Sequence, residues 1–239
     1  MILLLCVAAF VAAAISGAAG FGGALLLLPI LSLAIGPVQA VPLLTVAQLL
    51  GNLSRMLFGI RDIAWRPVAL FLSTALPCAI AGAWCLGLLP AAWLMRGIGV
   101  MLIVFAVLRW RGWLQVGHTN AWLAGGGGVT GFLSGLAGSA GPLGAAIFLA
   151  LDLAPVSYIS SEAATALAMH AVKLGVYRRF TPLDAHFWGL AFSLGAAVIA
   201  GTWVSRRVVL HLGTSRFRAF VTLLLAAVGL FLAIAGGRL

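Results

Sequence analysis

Acidic side chains are almost missing: the chain has four Asp and Glu among 239 residues, and charged residues of either sign make up 8%. A soluble domain of this length needs far more polar surface to cover its core, so that class is excluded. Cysteine is scarce as well. Cys6, Cys78 and Cys85 cannot all pair and none belongs to a C-x-x-C, so they read as buried structural thiols rather than a disulfide framework. His118, His170, His186 and His211 share no ligand spacing with these thiols or with each other, so no metal site and no cofactor is expected. The apolar-polar alternation of an outer-membrane barrel is absent too. What is present is apolar: hydrophobic residues make up 64% of the chain, in stretches of about 16 to 23 that follow one another almost without a break. This is the pattern of an all-α integral membrane protein, a polytopic helical bundle.

The formal net charge of +10 has a positional explanation. Arg61 and Arg66, Arg109 and Arg111, Arg178 and Arg179, Arg206 and Arg207, and Arg216 and Arg218 fall in the short breaks between apolar segments, where Lys and Arg concentrate in membrane proteins. No basic run interleaved with aromatics forms a binding face, so nucleic acid is not expected as a partner. Trp65, Trp84, Trp93, Trp110, Trp113 and Trp188 mostly flank the spans and read as interface anchors in a lipid bilayer. The opening MILLLCVAAFVAAAISGAAG lacks a basic n-region and reads as structure rather than a signal peptide.

Its last residues also belong to a repeated motif. SGAAGFGGA at residues 16–24 returns as SGLAGSAGP at 134–142, an offset of 118. At the same offset Asn52 meets His170 and Arg55 meets Lys173, while IAGAW (80–84) returns as IAGTW (199–203). Arg96 and Arg218 then open the last apolar segment of each half. Four matches in order point to duplication, with a first membrane repeat at 1–115 and a second at 116–239 that together make one transmembrane domain. The expected segments are about 2–16, 24–35, 38–59, 66–88 and 93–110, then 121–134, 142–153, 156–177, 185–206 and 216–236. The first two of each half are too short for two comfortable spans of ~20 residues, so each pair reads as a broken or re-entrant helix. Charge does not fix the orientation of the halves; we read them as inverted repeats.

A G-F-G-G break near the N-terminus, an apolar run with proline (LLLLPILSLAIGP), and a second copy at mid-chain resemble the TauE/SafE sulfite exporter family over nearly the whole sequence. Gly20, Phe21, Gly22 and Gly23 match that family's first motif; the second copy reads Gly138, Ser139, Ala140, Gly141, Pro142 where a glycine run is expected. The resemblance implies a multi-pass transporter, not an enzyme, that moves sulfite, organosulfonates or similar small anions across a bacterial cytoplasmic membrane.

The residues fit such a task on their own terms. A helix that starts inside the membrane presents unpaired N–H groups and partial positive charge, and glycine lets a small oxyanion approach the backbone. Segments starting near Gly22 and near Gly141 would aim such groups inward, with Ser16, Ser134 and Ser139 as added donors. The same glycines, Gly17 and Gly135 above all, also suit close helix packing. The site reading is preferred because packing alone does not call for a break. Thr45, Gln48, Asn52 and Arg55 step by three or four along one helix face, and Glu162, Thr165 or Ala166, His170 and Lys173 lie along the matching stripe of the second half. Polar stripes on apolar spans face protein or a watery cavity. Arg55 and Lys173 are the candidates to balance an anion's charge, and both also lie close enough to loops to snorkel. Glu162 and Asp152 are the acids placed to carry a proton, or to serve as helix-start or interfacial carboxylates. Two other functions fit parts of this pattern: a passive anion channel, and an intramembrane serine hydrolase using Ser139 and His170. The second is disfavoured because Ser139 aligns with Phe21, where the same break has no nucleophile.

Overall fold

The computed structural model describes residues 2–19, 24–111, 119–149, 151, 153–208 and scattered helical positions between 223 and 234. These residues form helices and no strand. In chain order the helices are α1 (Ile2–Ala19), α2 (Ala24–Ile35), α3 (Pro37–Phe58), α4 (Trp65–Leu88), α5 (Ala91–Trp110), α6 (Asn120–Ala137), α7 (Gly141–Leu149), α8 (Pro155–Tyr177) and α9 (Ala185–Val208), with one 3-10 turn at Ile60–Asp62.

The ends of these helices follow from local chemistry. Gly36 takes φ 79°, a conformation glycine adopts without strain, and Pro37 opens α3 where its missing N–H costs nothing. Thr119 caps α6 by accepting from the Trp122 N–H, and Asp184 Oδ1 accepts from the Phe187 N–H at the start of α9. α1 runs on through Gly17 to Ala19, beyond the expected end at residue 16, because a single glycine costs a helix only about 1 kcal/mol. α7 is nine residues long, about 14 Å, so it cannot cross a ~30 Å hydrocarbon layer alone.

α3 over Pro37–Leu57 and α4 over Trp65–Leu88 are long and apolar enough to cross a membrane, and α1, α2, α5 and α9 contain shorter apolar stretches. The outer surface is itself apolar: Leu3, Leu4, Trp65, Leu88, Trp93, Val100, Trp110, Val129 and Trp203 are exposed. In water so much exposed hydrocarbon would drive aggregation; in lipid it is the solvated face. Arg96 lies 5.7 Å from the Trp93 ring centroid and Arg179 5.4 Å from that of Trp84. Cys6, Cys78 and Cys85 are free and half-buried, less enclosed than the sequence suggests.

The helix pairing crosses the chain. α4 lies along α6, α9 along α1, and α3 against α8. Close approach of α4 and α6 depends on Gly127, Gly131 and Gly135, one turn apart on α6. A Cβ on any of them would collide with the carbonyl oxygen of Phe71, Ala75 or Ala79 respectively. Thr74 Oγ1 adds a hydrogen bond of 2.5 Å to the Ala124 carbonyl across the same seam. Gly82 and Gly201, the glycines of IAGAW and IAGTW, do the matching work from the other side. Gly82 sits against the Phe132 backbone of α6 and Gly201 against the Phe10 backbone of α1.

Candidate functional site

Buried polar side chains gather on three helices: Thr45, Gln48 and Asn52 on α3, Thr130 and Ser134 on α6, and Ser160, Ser161, Glu162, Thr165, His170 and Lys173 on α8. On α6 the division is one of helical phase. Gly127, Gly131 and Gly135 face α4, while Thr130 and Ser134, each one position earlier, line a cleft. The remaining walls are Gln48, Asn52 and Arg55 from α3, Ser139, Ala140, Gly141 and Gly144 from the break and the start of α7, and Glu162, Thr165, Ala166, Met169 and His170 from α8.

The break between α6 and α7 is short. α6 ends at Ala137, Gly138 takes the left-handed φ of 77°, and α7 begins at Gly141. A helix end inside a membrane leaves carbonyls that no water can satisfy. Here α8 supplies the donors. Lys173 Nζ donates to Ser134 O (3.0 Å), Ser134 Oγ (2.7 Å) and Gly138 O (2.8 Å), and the Tyr177 hydroxyl donates to Gly135 O. Lys173 is wholly buried. An ammonium has three hydrogens, and all three are engaged.

The start of α7 offers fewer donors than a bare helix end. Pro142 has no N–H, and the Leu143 and Gly144 N–H groups donate to Ala140 O at 3.0 and 3.3 Å. The Gly141 N–H donates to Ser139 Oγ at 3.4 Å. Because that oxygen accepts, the Ser139 hydroxyl keeps its hydrogen for another partner.

Arg55, with a side chain 40% exposed, lies 3.5 Å from Glu162 Oε2, which is 8% exposed, and also donates to Asn52 Oδ1. The pair joins α3 to α8, a contact that sequence reasoning did not anticipate. Two atoms in the cleft walls have no hydrogen-bond partner among the described residues: Thr130 Oγ1 and His170 Nδ1, on residues 1% and 3% exposed. Leaving such groups unpaired costs about 1–3 kcal/mol each unless something binds them. Ser32 Oγ on α2 is also unpaired but does not line this cleft.

Of the residues singled out from sequence, Gln48, Asn52, Arg55, Ser134, Ser139, Gly141, Glu162 and His170 therefore share one cleft, while Gly138 and Lys173 build the helix break behind it. Gly20, Phe21, Gly22, Gly23 and Asp152, and the side chain of Ser16, lie outside the described residues. Gly135 is a packing residue. Thr130 was missed: a threonine inside GGGGVTGF gives no sign of facing a cavity until the glycine stripe beside it is assigned to α4. Among the described residues no hydrogen bond joins Ser139 to His170, the contact a serine–histidine dyad needs.

The family model for sulfite exporter TauE/SafE matches residues 5–232. The chain belongs to this family. A match of that extent leaves little of the 239 residues outside it, so the cleft and, but for the first three residues of α1, the helices α1 to α9 lie within the matched region. The protein is thus an all-α membrane protein of a sulfur-anion exporter family. No curated protein and no solved structure matches the chain.

Proposed function

We propose that the protein exports small sulfur oxyanions or organosulfonates across a bacterial cytoplasmic membrane, and that the anion sits in the cleft between α3, α6, α7 and α8. Family membership supports the transport of a sulfur anion. The observation that carries the site is the pair of unpaired, buried polar atoms, Thr130 Oγ1 and His170 Nδ1, in the walls of a cleft with Arg55 as its cation. Gln48, Asn52, Ser134 and the free Ser139 hydroxyl hydrogen supply further donors, and the positive end of α7 opens beside them. Lys173 acts from behind, holding the break open while its charge stays within the fold.

The two-half organisation, 1–115 and 116–239 as inverted repeats, is part of this reading. Its support is the reciprocal packing of α4 on α6 and of α9 on α1, each through the glycine of the repeated IAG-x-W motif. A transporter can work by rocking two such halves about a central site.

Thermal melting of the purified protein in the presence of sulfite, sulfate, thiosulfate, taurine and sulfoacetate tests the assignment. A ligand present at about 100 times its Kd stabilises by ~2.7 kcal/mol. We expect a sulfur anion to raise the melting temperature while chloride at equal ionic strength does not. An equal response to chloride would refute the site.

A further inference from the structure

We propose that an incoming anion displaces Glu162 from Arg55, and that Glu162 then takes up a proton, so that one anion binds together with one proton. The inference rests on the reading of the cleft as the anion site.

The geometry sets up a competition. Arg55 lies nearer the surface, with a side chain 40% exposed, and Glu162 lies deep at 8%. Arg55 has a second partner in Asn52, whereas Arg55 is the partner found for the Glu162 carboxylate among the described residues. An anion that enters the cleft meets the same guanidinium. Once Arg55 turns to the anion, Glu162 is a second negative charge in a confined cleft, and among the described residues no other cation is paired with it. Such a charge is too costly to keep. Taking a proton from the aqueous side removes it, and the charges balance: the free cleft holds Arg55 and Glu162 as a neutral pair, and the loaded cleft holds Arg55 with the anion beside a neutral Glu162.

The other titratable groups around Glu162 do not supply a substitute counter-charge. On α8 itself these are Tyr158, His170, Lys173 and Tyr177; the three ammonium hydrogens of Lys173 are committed to Ser134 and Gly138, and the Tyr177 hydroxyl to Gly135 O. α6 and α7 carry no titratable side chain. α4 contributes Arg66, Cys78 and Cys85, and the 3-10 turn Arg61 and Asp62; none of them bonds to Glu162.

Titration calorimetry on the purified full-length protein measures the proton directly, using ethanesulfonate, which keeps its single charge from pH 6 to pH 8, in buffers of different ionisation enthalpy. About one proton should be taken up per anion, and affinity should fall by about tenfold per pH unit as pH rises, since the bound state holds one proton more. Glu162→Gln should bind with no proton exchange and a flat pH profile. If that variant folds poorly, a wild-type protein that binds without proton uptake still overturns the proposal. Should sulfite bind and ethanesulfonate not, the same count is taken with sulfite's own proton subtracted. Binding without proton uptake overturns the proposal and leaves the site standing, as does uptake that persists in Glu162→Gln. Failure to bind either anion defeats the site reading and the proposal with it.

Discussion

Lys173 and Arg55 occupy matching places 118 residues apart, and from sequence alone both are candidates for the same work. The structure gives them different neighbours. Lys173 spends its three hydrogens on oxygens of Ser134 and Gly138 at the end of α6, a use in which a cation meets the negative end of a helix. Arg55 reaches a carboxylate and an amide at the side of a cleft. Removing the first should therefore be felt as lost stability. Lys173→Met leaves two buried carbonyls and a hydroxyl without their donor, and we expect a loss of about 2–4 kcal/mol, read as a lower melting temperature of purified protein. Unchanged melting would mean that these carbonyls find other partners.

Among the elements, α6 shows how one helix can serve two purposes. Its glycines bring α4 within backbone contact along one stripe, and its threonine and serine line the cleft along the next. Gly131→Leu would drive a side chain into the Ala75 backbone and should cost at least about 3 kcal/mol, while Gly125→Leu, with nothing within 4 Å, should be neutral. The yield and melting temperature of the two purified variants check this, and equal behaviour would mean α4 and α6 do not pack through this stripe. The boundaries at Gly36–Pro37 and before Pro155 were legible in the sequence, whereas α1 and α6 run on to Ala19 and Ala137, past the expected ends at 16 and 134, because a glycine alone does not stop a helix. The polar stripes of α3 and α8 were legible by their helical spacing. The Arg55–Glu162 pair and the hidden role of Lys173 were not, since both depend on which faces of distant helices meet. The glycines of IAGAW and IAGTW were visible as a repeat, but their purpose needed the partner backbones.

At the scale of the whole molecule, an apolar body in lipid gains nothing from buried polar atoms that lack partners, yet among the described residues Thr130 Oγ1 and His170 Nδ1 stay unpaired in the cleft that holds Arg55. On the proposed function, stability is given up there so that an anion can be held. Thr130→Val separates the two effects, because valine has the shape of threonine without the hydroxyl. Stability should rise by about 1 kcal/mol as an unsatisfied group is removed. Flux should fall by about tenfold, the ~1.4 kcal/mol value of one lost donor. The decisive measurement is uptake of labelled sulfite or sulfonate into inverted membrane vesicles, alongside the melting temperature of the same variant. Higher melting with lower flux is the predicted result; higher melting with undiminished flux would contradict the cleft as the anion's path.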